Sequence, residues 1–192
     1  YADTLSDADV VLNPQNESAG WYPPPTDLEG ILTHPNGFMV GFRDRDIYFS
    51  EPYRPHAYPV EYVVSTEHRI VGLGIFGNSV VVLTTGFPSI ATGSHPSTMS
   101  LADSEFSEPC MSKYGIVSMP FGVYYPGVNG LMLVNSQGVN NATKGLLSKD
   151  EWSLNYFPSL LNAARWQDFY IAWYTNTRGF MFAPSEPQAA FT

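Results

Sequence analysis

The sequence predicts an all-β fold built from three to four repeated antiparallel units. Four stretches each have two apolar runs joined by a short polar or Gly/Pro-containing loop: residues 37–50, 78–93, 121–135 and 168–183. The steps between equivalent points are 41, 43 and 47 residues, counted from Met39 to Val80, Val123 and Tyr170. The 16 Gly, 16 Pro, 12 Tyr and 12 Phe of the 192 residues also favour turns and strands over helices.

A repeat of this length made of β-hairpins is typical of β-propeller blades. An apolar segment precedes each hairpin and predicts a third strand for each unit: residues 30–33, 70–76, 115–119 and 160–164. A fourth, outer strand is predicted only at residues 61–64. A propeller needs at least four blades to close. We therefore expect these units to be part of a larger propeller whose remaining surface comes from other chain segments or other subunits.

The segments around the repeats have their own local signals. Ser148 and Glu151 have capping-box spacing, and Pro158 follows, which predicts one short connector helix between the third and fourth units. Three consecutive prolines at residues 23–25 favour an extended backbone. We expect residues 1–27 to be an extended linker from a preceding segment and residues 28–192 to be a partial β-propeller-like domain.

Composition narrows the range of functions. The net charge is −9 with only nine Lys and Arg residues, too few for a basic patch that neutralises nucleic-acid phosphates. No apolar run reaches 18 residues, so no membrane span is expected. A single cysteine, Cys110, rules out an intrachain disulfide. Charged residues make up only 14% of the chain, which favours extensive contacts with partners or with copies of itself.

Residues 72–77 (GLGIFG) match the GxGxxG pattern of dinucleotide sites. That pattern binds a pyrophosphate only where a helix follows it. Here an apolar β run follows, at residues 79–85. We therefore predict strand and turn glycines, and no cofactor. The four histidines lack the paired spacing of metal ligands, so no metal site is predicted.

Polar groups at the hairpin tips and connectors are candidates for contact with partners. Asp44 and Asp46 flank Arg45 and could act as an acid–base pair, but alternating charge favours a solvated turn or an intersubunit contact. Residues 50–59 and 86–100 are proline-rich, which is typical of rigid connectors and of docking surfaces alike. The predicted interface residues are Arg43, Asp44, Arg45, Tyr53, Arg54, His56, Tyr58 and His95.

Several of these stretches, in this order, resemble one family. They are residues 21–25 (WYPPP), 34–37 (HPNG), 48–59 (YFSEPYRPHAYP), 70–74 (IVGLG), 82–86 (VLTTG), 92–96 (TGSHP), 110–113 (CMSK), 130–134 (GLMLV) and 150–152 (DEW). Together they resemble virion structural proteins of tailed bacteriophages, of the tail hub or nozzle kind. The charged turn at residues 43–46 departs from the neutral polar turn that would be ordinary there.

The resemblance implies a β-propeller-containing tail protein without enzymatic activity. It further implies several copies in a ring around a channel through which phage DNA passes, contacts with other tail or adaptor proteins, and a location in the virion. The family carries no catalytic residues, so none are transferred.

Two other functions stay open from the sequence. One is a carbohydrate-binding propeller that recognises a host receptor through aromatic side chains such as Trp21, Tyr53, Tyr58 or Trp173. The other is a glycan-cleaving enzyme, which the absence of SxDxGxxW and GxSxG motifs disfavours.

Overall fold

The computed structural model describes residues 18–175 and 178–183, which form four antiparallel sheets in chain order. Sheet 1 contains β1 (Gly30–Thr33), β2 (Met39–Arg43), β3 (Asp46–Phe49) and β4 (Val64–Ser65). Sheet 2 contains β5 (Ile70–Phe76), β6 (Ser79–Thr84), β7 (Ser89–Thr92) and β8 (Ser100–Asp103). Sheet 3 contains β9 (Val117–Met119), β10 (Gly122–Pro126), β11 (Leu131–Asn135) and β12 (Gly138–Asn141). Sheet 4 contains β13 (Asn162–Trp166), β14 (Phe169–Thr175) and β15 (Arg178–Phe182).

The prediction of an all-β chain is confirmed, and each of the four predicted hairpins pairs as two antiparallel strands. The four equivalent residues of the repeat, Met39, Val80, Val123 and Tyr170, each lie in the second strand of their sheet. β1 and β5 have the predicted bounds, whereas β9 and β13 each begin two residues later than predicted. Short 3-10 turns at Lys113–Gly115 and Pro158–Leu160 occupy the positions immediately before them.

The outer strands were the weakest part of the prediction. The strand expected at residues 61–64 is wrong for most of its length, because Val60–Tyr62 forms a 3-10 turn after Pro59 and only Val64–Ser65 pairs with β3. The side chain of Tyr62 is buried in the turn and its hydroxyl donates to Glu51 Oε1 at 2.9 Å. β8 and β12 were not predicted, because β8 is largely exposed and β12 has a single buried apolar residue, Val139, so neither shows an apolar alternation.

The predicted connector helix is present as α1 (Lys149–Tyr156). Ser148 Oγ accepts from the Glu151 N–H at 3.2 Å, and Glu151 Oε2 accepts from the Ser148 N–H at 2.9 Å, which completes the capping box. The Ser148 N–H and the Ser148 hydroxyl both donate to the Glu151 carboxylate, and these two bonds lower the pKa of Glu151. The side chain of Trp152 is buried, and its Nε1–H donates to the Gly127 carbonyl at 2.9 Å. This hydrogen bond holds α1 against the chain that follows β10. Among the described residues, no helix has the length and apolar character that a membrane crossing requires.

Consecutive sheets pack face to face and enclose three apolar cores. The buried residues between sheets 1 and 2 include Val40, Phe42, Ile47, Phe49, Ile70, Val80 and Val82. Those between sheets 2 and 3 include Val81, Leu83, Cys110, Val123, Tyr125, Met132 and Val134. Those between sheets 3 and 4 include Val117, Met119, Tyr124, Leu131, Trp152, Leu161, Tyr170 and Ala172.

The second strands of sheets 2 and 3 contribute to two cores at once. Val80 and Val82 of β6 point into the first core, and Val81 and Leu83 point into the second. Successive strand side chains point to opposite faces, so a strand between two layers must be apolar at every position. This explains why the hairpin signal in the sequence is a continuous apolar run instead of an alternation.

The glycines of residues 72–77 lie in β5 and in the β5–β6 turn, as predicted. A Cβ atom at Gly74 would lie 2.4 Å from Val123 Cγ1 and 2.9 Å from Val123 Cγ2, on β10 of the next sheet. A Cβ atom at Gly72 would lie 2.4 Å from Ile116 Cδ1, the mobile end of a longer side chain. The absent side chain at Gly74 therefore sets how closely sheet 2 approaches sheet 3.

Adding one methyl group at each glycine tests this close approach. We expect Gly74→Ala to lower the free energy of unfolding by about 1–3 kcal/mol, because the stiff, fully buried Val123 has no room to move. Gly72→Ala is the matched control and should be close to neutral, because Ile116 Cδ1 can rotate away and alanine restricts the unfolded chain. Chemical denaturation of both variants measures the difference. Equal destabilisation by the two substitutions would contradict the proposed contact.

Residues 1–17 lie outside the described residues, and residues 18–29 form turns and irregular chain before β1. The extended linker therefore stays a prediction.

Candidate interaction surface

One face of sheet 4 is apolar and uncovered in the described chain. The side chains on it are Asn162, Ala164, Trp166, Phe169, Ile171, Trp173, Gly179 and Met181, as the strand register places them opposite one another. Trp166 is 53% exposed, Trp173 44% and Met181 57%. None of these residues is charged. We call this surface the sheet-4 face. Exposed apolar side chains gathered on one face make this surface a candidate interaction site.

Sheet 1 is the first sheet of the series, and its outer face is the one that points away from sheet 2. Ile31, Gly41 and Tyr48 lie opposite one another across β1, β2 and β3, and Ile31 is 59% exposed. Leu28 fills the space above Gly41, where a Cβ atom would lie 2.9 Å from Leu28 Cδ1. At one edge, Arg43 pairs with Asp27 at 3.4 Å. We call this surface the sheet-1 face.

The tip of the β2–β3 hairpin, predicted as an interface, has a structural role through its backbone. The Asp44 carbonyl accepts from the Ile70 N–H at 2.8 Å, and the Arg45 carbonyl accepts from the Thr66 N–H at 2.9 Å. Asp44 has a left-handed backbone, with φ of 52°. The tip thus joins sheet 1 to the chain entering sheet 2, while the side chains of Asp44 and Arg45 remain exposed.

The two aspartates of this hairpin have separate partners. Asp44 Oδ1 lies 3.9 Å from Arg69 Nε, and Asp46 Oδ1 accepts from Ser65 Oγ at 2.6 Å. Each carboxylate of the hairpin therefore has a partner of its own. The described part of the chain has no group of three His, Cys, Asp or Glu side chains that could hold a metal ion.

The connector at residues 50–59 presents a third surface. Tyr53 is 82% exposed, with its backbone N–H donating to the Gly37 carbonyl at 2.7 Å. The Arg54 guanidinium lies 4.3 Å from the centre of the Trp21 ring, and the His56 ring meets the same indole edge-on at 6.1 Å. We call this group the Tyr53 corner. The remaining predicted contact in this segment, Tyr58, is only 5% exposed and has little surface for a partner.

His95 lies in the proline-rich connector at residues 86–100 and contacts the chain that follows the connector at residues 50–59. Its Nδ1 accepts from the Ser97 N–H at 3.2 Å and so caps the 3-10 turn Pro96–Thr98. Its ring meets Tyr62 edge-on at 5.9 Å. Burial, and then the bond to Glu51, raises the pKa of Tyr62 to about 12, so this hydroxyl stays protonated at neutral pH. The two connectors, far apart in sequence, therefore form one continuous rim.

A shallow groove of about 270 Å³ lies where β1, β5 and the turn at Lys113–Gly115 meet. Ile31, Gly72 and Tyr114 contribute to its walls, and Lys113 Nζ lies 5.1 Å from the centre of the Tyr114 ring. Glu29 and Lys113 both line the groove. Glu29 pairs with Arg69 at 3.2 Å.

Contacts with partners at the connectors stay a prediction, and the sequence pattern makes no separate prediction for the sheet-4 face. A signal for this face is present, because β13 and β14 carry apolar side chains on both faces. Among the described residues no later sheet covers the outward set, and the repeat pattern predicts residues 168–183 only as a fourth unit.

The chain matches no protein-family model and no curated protein sequence.

The single thiol is not placed for chemistry. Cys110 lies in the core between sheets 2 and 3, where burial raises its pKa to about 12. A thiol reacts as the thiolate, and almost none is present at neutral pH with this pKa.

We expect Cys110 of the native protein to resist a thiol reagent such as DTNB at pH 8 and to react fully once guanidinium has unfolded the chain. The absorbance of the released thiolate follows both reactions. Native labelling as fast as labelling of the unfolded chain would show that sheets 2 and 3 do not enclose this side chain.

Proposed function

We propose that this chain is a structural component of a bacteriophage tail. In this proposal it belongs to a hub or nozzle ring that surrounds the DNA channel and holds adjacent tail proteins. The observation that carries a structural role is the set of uncovered faces, above all the uncharged sheet-4 face with its two exposed tryptophans. The phage assignment is supported by the ordered motifs along the chain.

The four sheets are, in this proposal, blades of a larger β-propeller. Two observations support it. Each sheet is a meander in chain order, and the first strands of successive sheets contact one another, β1 with β5, β5 with β9 and β9 with β13. In a propeller the first strands lie nearest the axis and the blades pack face to face around it.

The Tyr53 corner and His95 are the proposed contacts with neighbouring tail proteins. They lie on one rim and combine exposed aromatic rings with an Arg side chain, the residue types enriched at protein interfaces. The net charge of −9 suits a channel wall that lets DNA pass, because like charges repel.

The proposal includes no catalytic activity. The carboxylates of the β2–β3 hairpin have separate partners, and the single thiol is buried. We propose that the chain acts mechanically, by keeping its neighbours in register.

Purified particles of the phage that encodes the chain test this function. We expect an antibody against the chain to label the tail end of intact particles, and mass spectrometry to find the chain in isolated tails. Isolated heads are the matched control and should lack it. Absence from the particles, or labelling confined to the heads, would contradict the proposal.

A further inference from the structure

The three contacts between consecutive sheets repeat one arrangement. Three residues at equivalent positions, Val80 of sheet 2, Val123 of sheet 3 and Tyr170 of sheet 4, are fully buried against the preceding sheet. The equivalent residue of sheet 1 is Met39, which is only half-buried and shares its face with Ile31 and Tyr48. The sheet-1 face therefore occupies the position that receives a preceding sheet elsewhere in the chain.

The sheet-4 face occupies the opposite position. In sheets 1, 2 and 3 the corresponding face covers the next sheet, through residues such as Phe42, Leu83 and Leu131. In sheet 4 that face is uncovered. The sheet-4 face therefore corresponds to the covering side, and the sheet-1 face to the covered side, of the sheet-to-sheet contact that occurs three times within the chain.

We infer that the sheet-4 face of one copy packs on the sheet-1 face of a second copy. This inference rests on the proposed function, in which copies of the chain form a ring. It names the two surfaces through which the copies meet. The contact is head to tail, so it generates a closed ring or an open filament according to the rotation between copies. Two copies would bring together eight sheets, within the range of closed propellers.

The chemistry of the two faces fits. The sheet-4 face has no charge, so its partner must not bury an unpaired charge against it. On the sheet-1 face, Ile31, Met39 and Tyr48 form an apolar centre. The charges at its edge have partners, because Arg43 binds Asp27 and Asp46, which lies opposite Arg43, accepts from Ser65 Oγ. An apolar centre with a polar rim is the usual composition of a protein interface.

Sedimentation velocity of the 192-residue chain over a range of concentrations tests the contact. We expect wild-type chain to associate reversibly into dimers or larger rings. Trp173→Glu/Met181→Glu changes the sheet-4 face and Ile31→Glu changes the sheet-1 face, and each should weaken association at least tenfold. Leu154→Glu is the control, because Leu154 is 71% exposed on α1, away from both faces. It should leave association unchanged.

Mixing the two variants separates the head-to-tail contact from a symmetric one. Each variant keeps one intact face, so the mixture should form one-to-one pairs that neither variant forms alone. If sheet-4 faces instead met each other, Ile31→Glu would have no effect and mixing would restore nothing.

Three results would overturn the inference. They are a wild-type chain that stays monomeric at every concentration, association that is insensitive to the sheet-4 variant, and association that is insensitive to Ile31→Glu. Circular dichroism and thermal unfolding establish that each variant is folded. Should the double variant not fold, the single change Met181→Glu at the exposed edge strand replaces it. Association of the purified chain does not depend on where the chain lies in a particle. The head-to-tail contact can therefore be refuted while the tail assignment stands, and the tail assignment can be refuted while the contact stands.

Discussion

The face-to-face packing of consecutive sheets is the interaction on which the whole structure depends. A small antiparallel sheet is stable only when an apolar face is covered, and each sheet here has its neighbours as cover. β6 shows the dependence most clearly, because Val80 and Val82 require sheet 1 whereas Val81 and Leu83 require sheet 3. Removing one sheet would therefore expose the faces of two others.

This packing also explains where the polar residues and connectors lie. The charged and turn-capping side chains of the Tyr53 corner and of the His95 turn lie outside the three cores. The same packing leaves two faces at the ends of the series. The ends differ, since Leu28 and the Arg43–Asp27 pair partly cover the sheet-1 face and nothing in the described chain covers the sheet-4 face. This difference between the ends gives the molecule a direction, which a ring of identical head-to-tail contacts requires.

The sequence predicted the inner strands and the helix cap well, because their signals are local. Continuous apolar runs located β6, β10 and β11, and the Ser148–Glu151 spacing located the start of α1. The short outer strands had no such signal. β8 is largely exposed on both faces, and its pairing with β7 depends on the sheet that is already present. The strands of sheet 4 carry an apolar signal on both faces, but the exposure of the sheet-4 face does not follow from that signal alone. Whether an apolar face is covered depends on neighbours that may be distant in sequence, and Tyr58 was placed on the surface by the same lack of tertiary information.

Hydroxyl-radical footprinting at low protein concentration, where copies are apart, tests the stacked arrangement most directly. Methionine and tryptophan side chains report their exposure as oxidation rates read by mass spectrometry. The account predicts fast oxidation of Met181 and Trp173 on the sheet-4 face. It predicts slow oxidation of Met119, Met132 and Trp152, which lie between sheets. Oxidation of Met119 and Met132 at the rate of Met181 would contradict it, because the sheets could not then be enclosing those side chains.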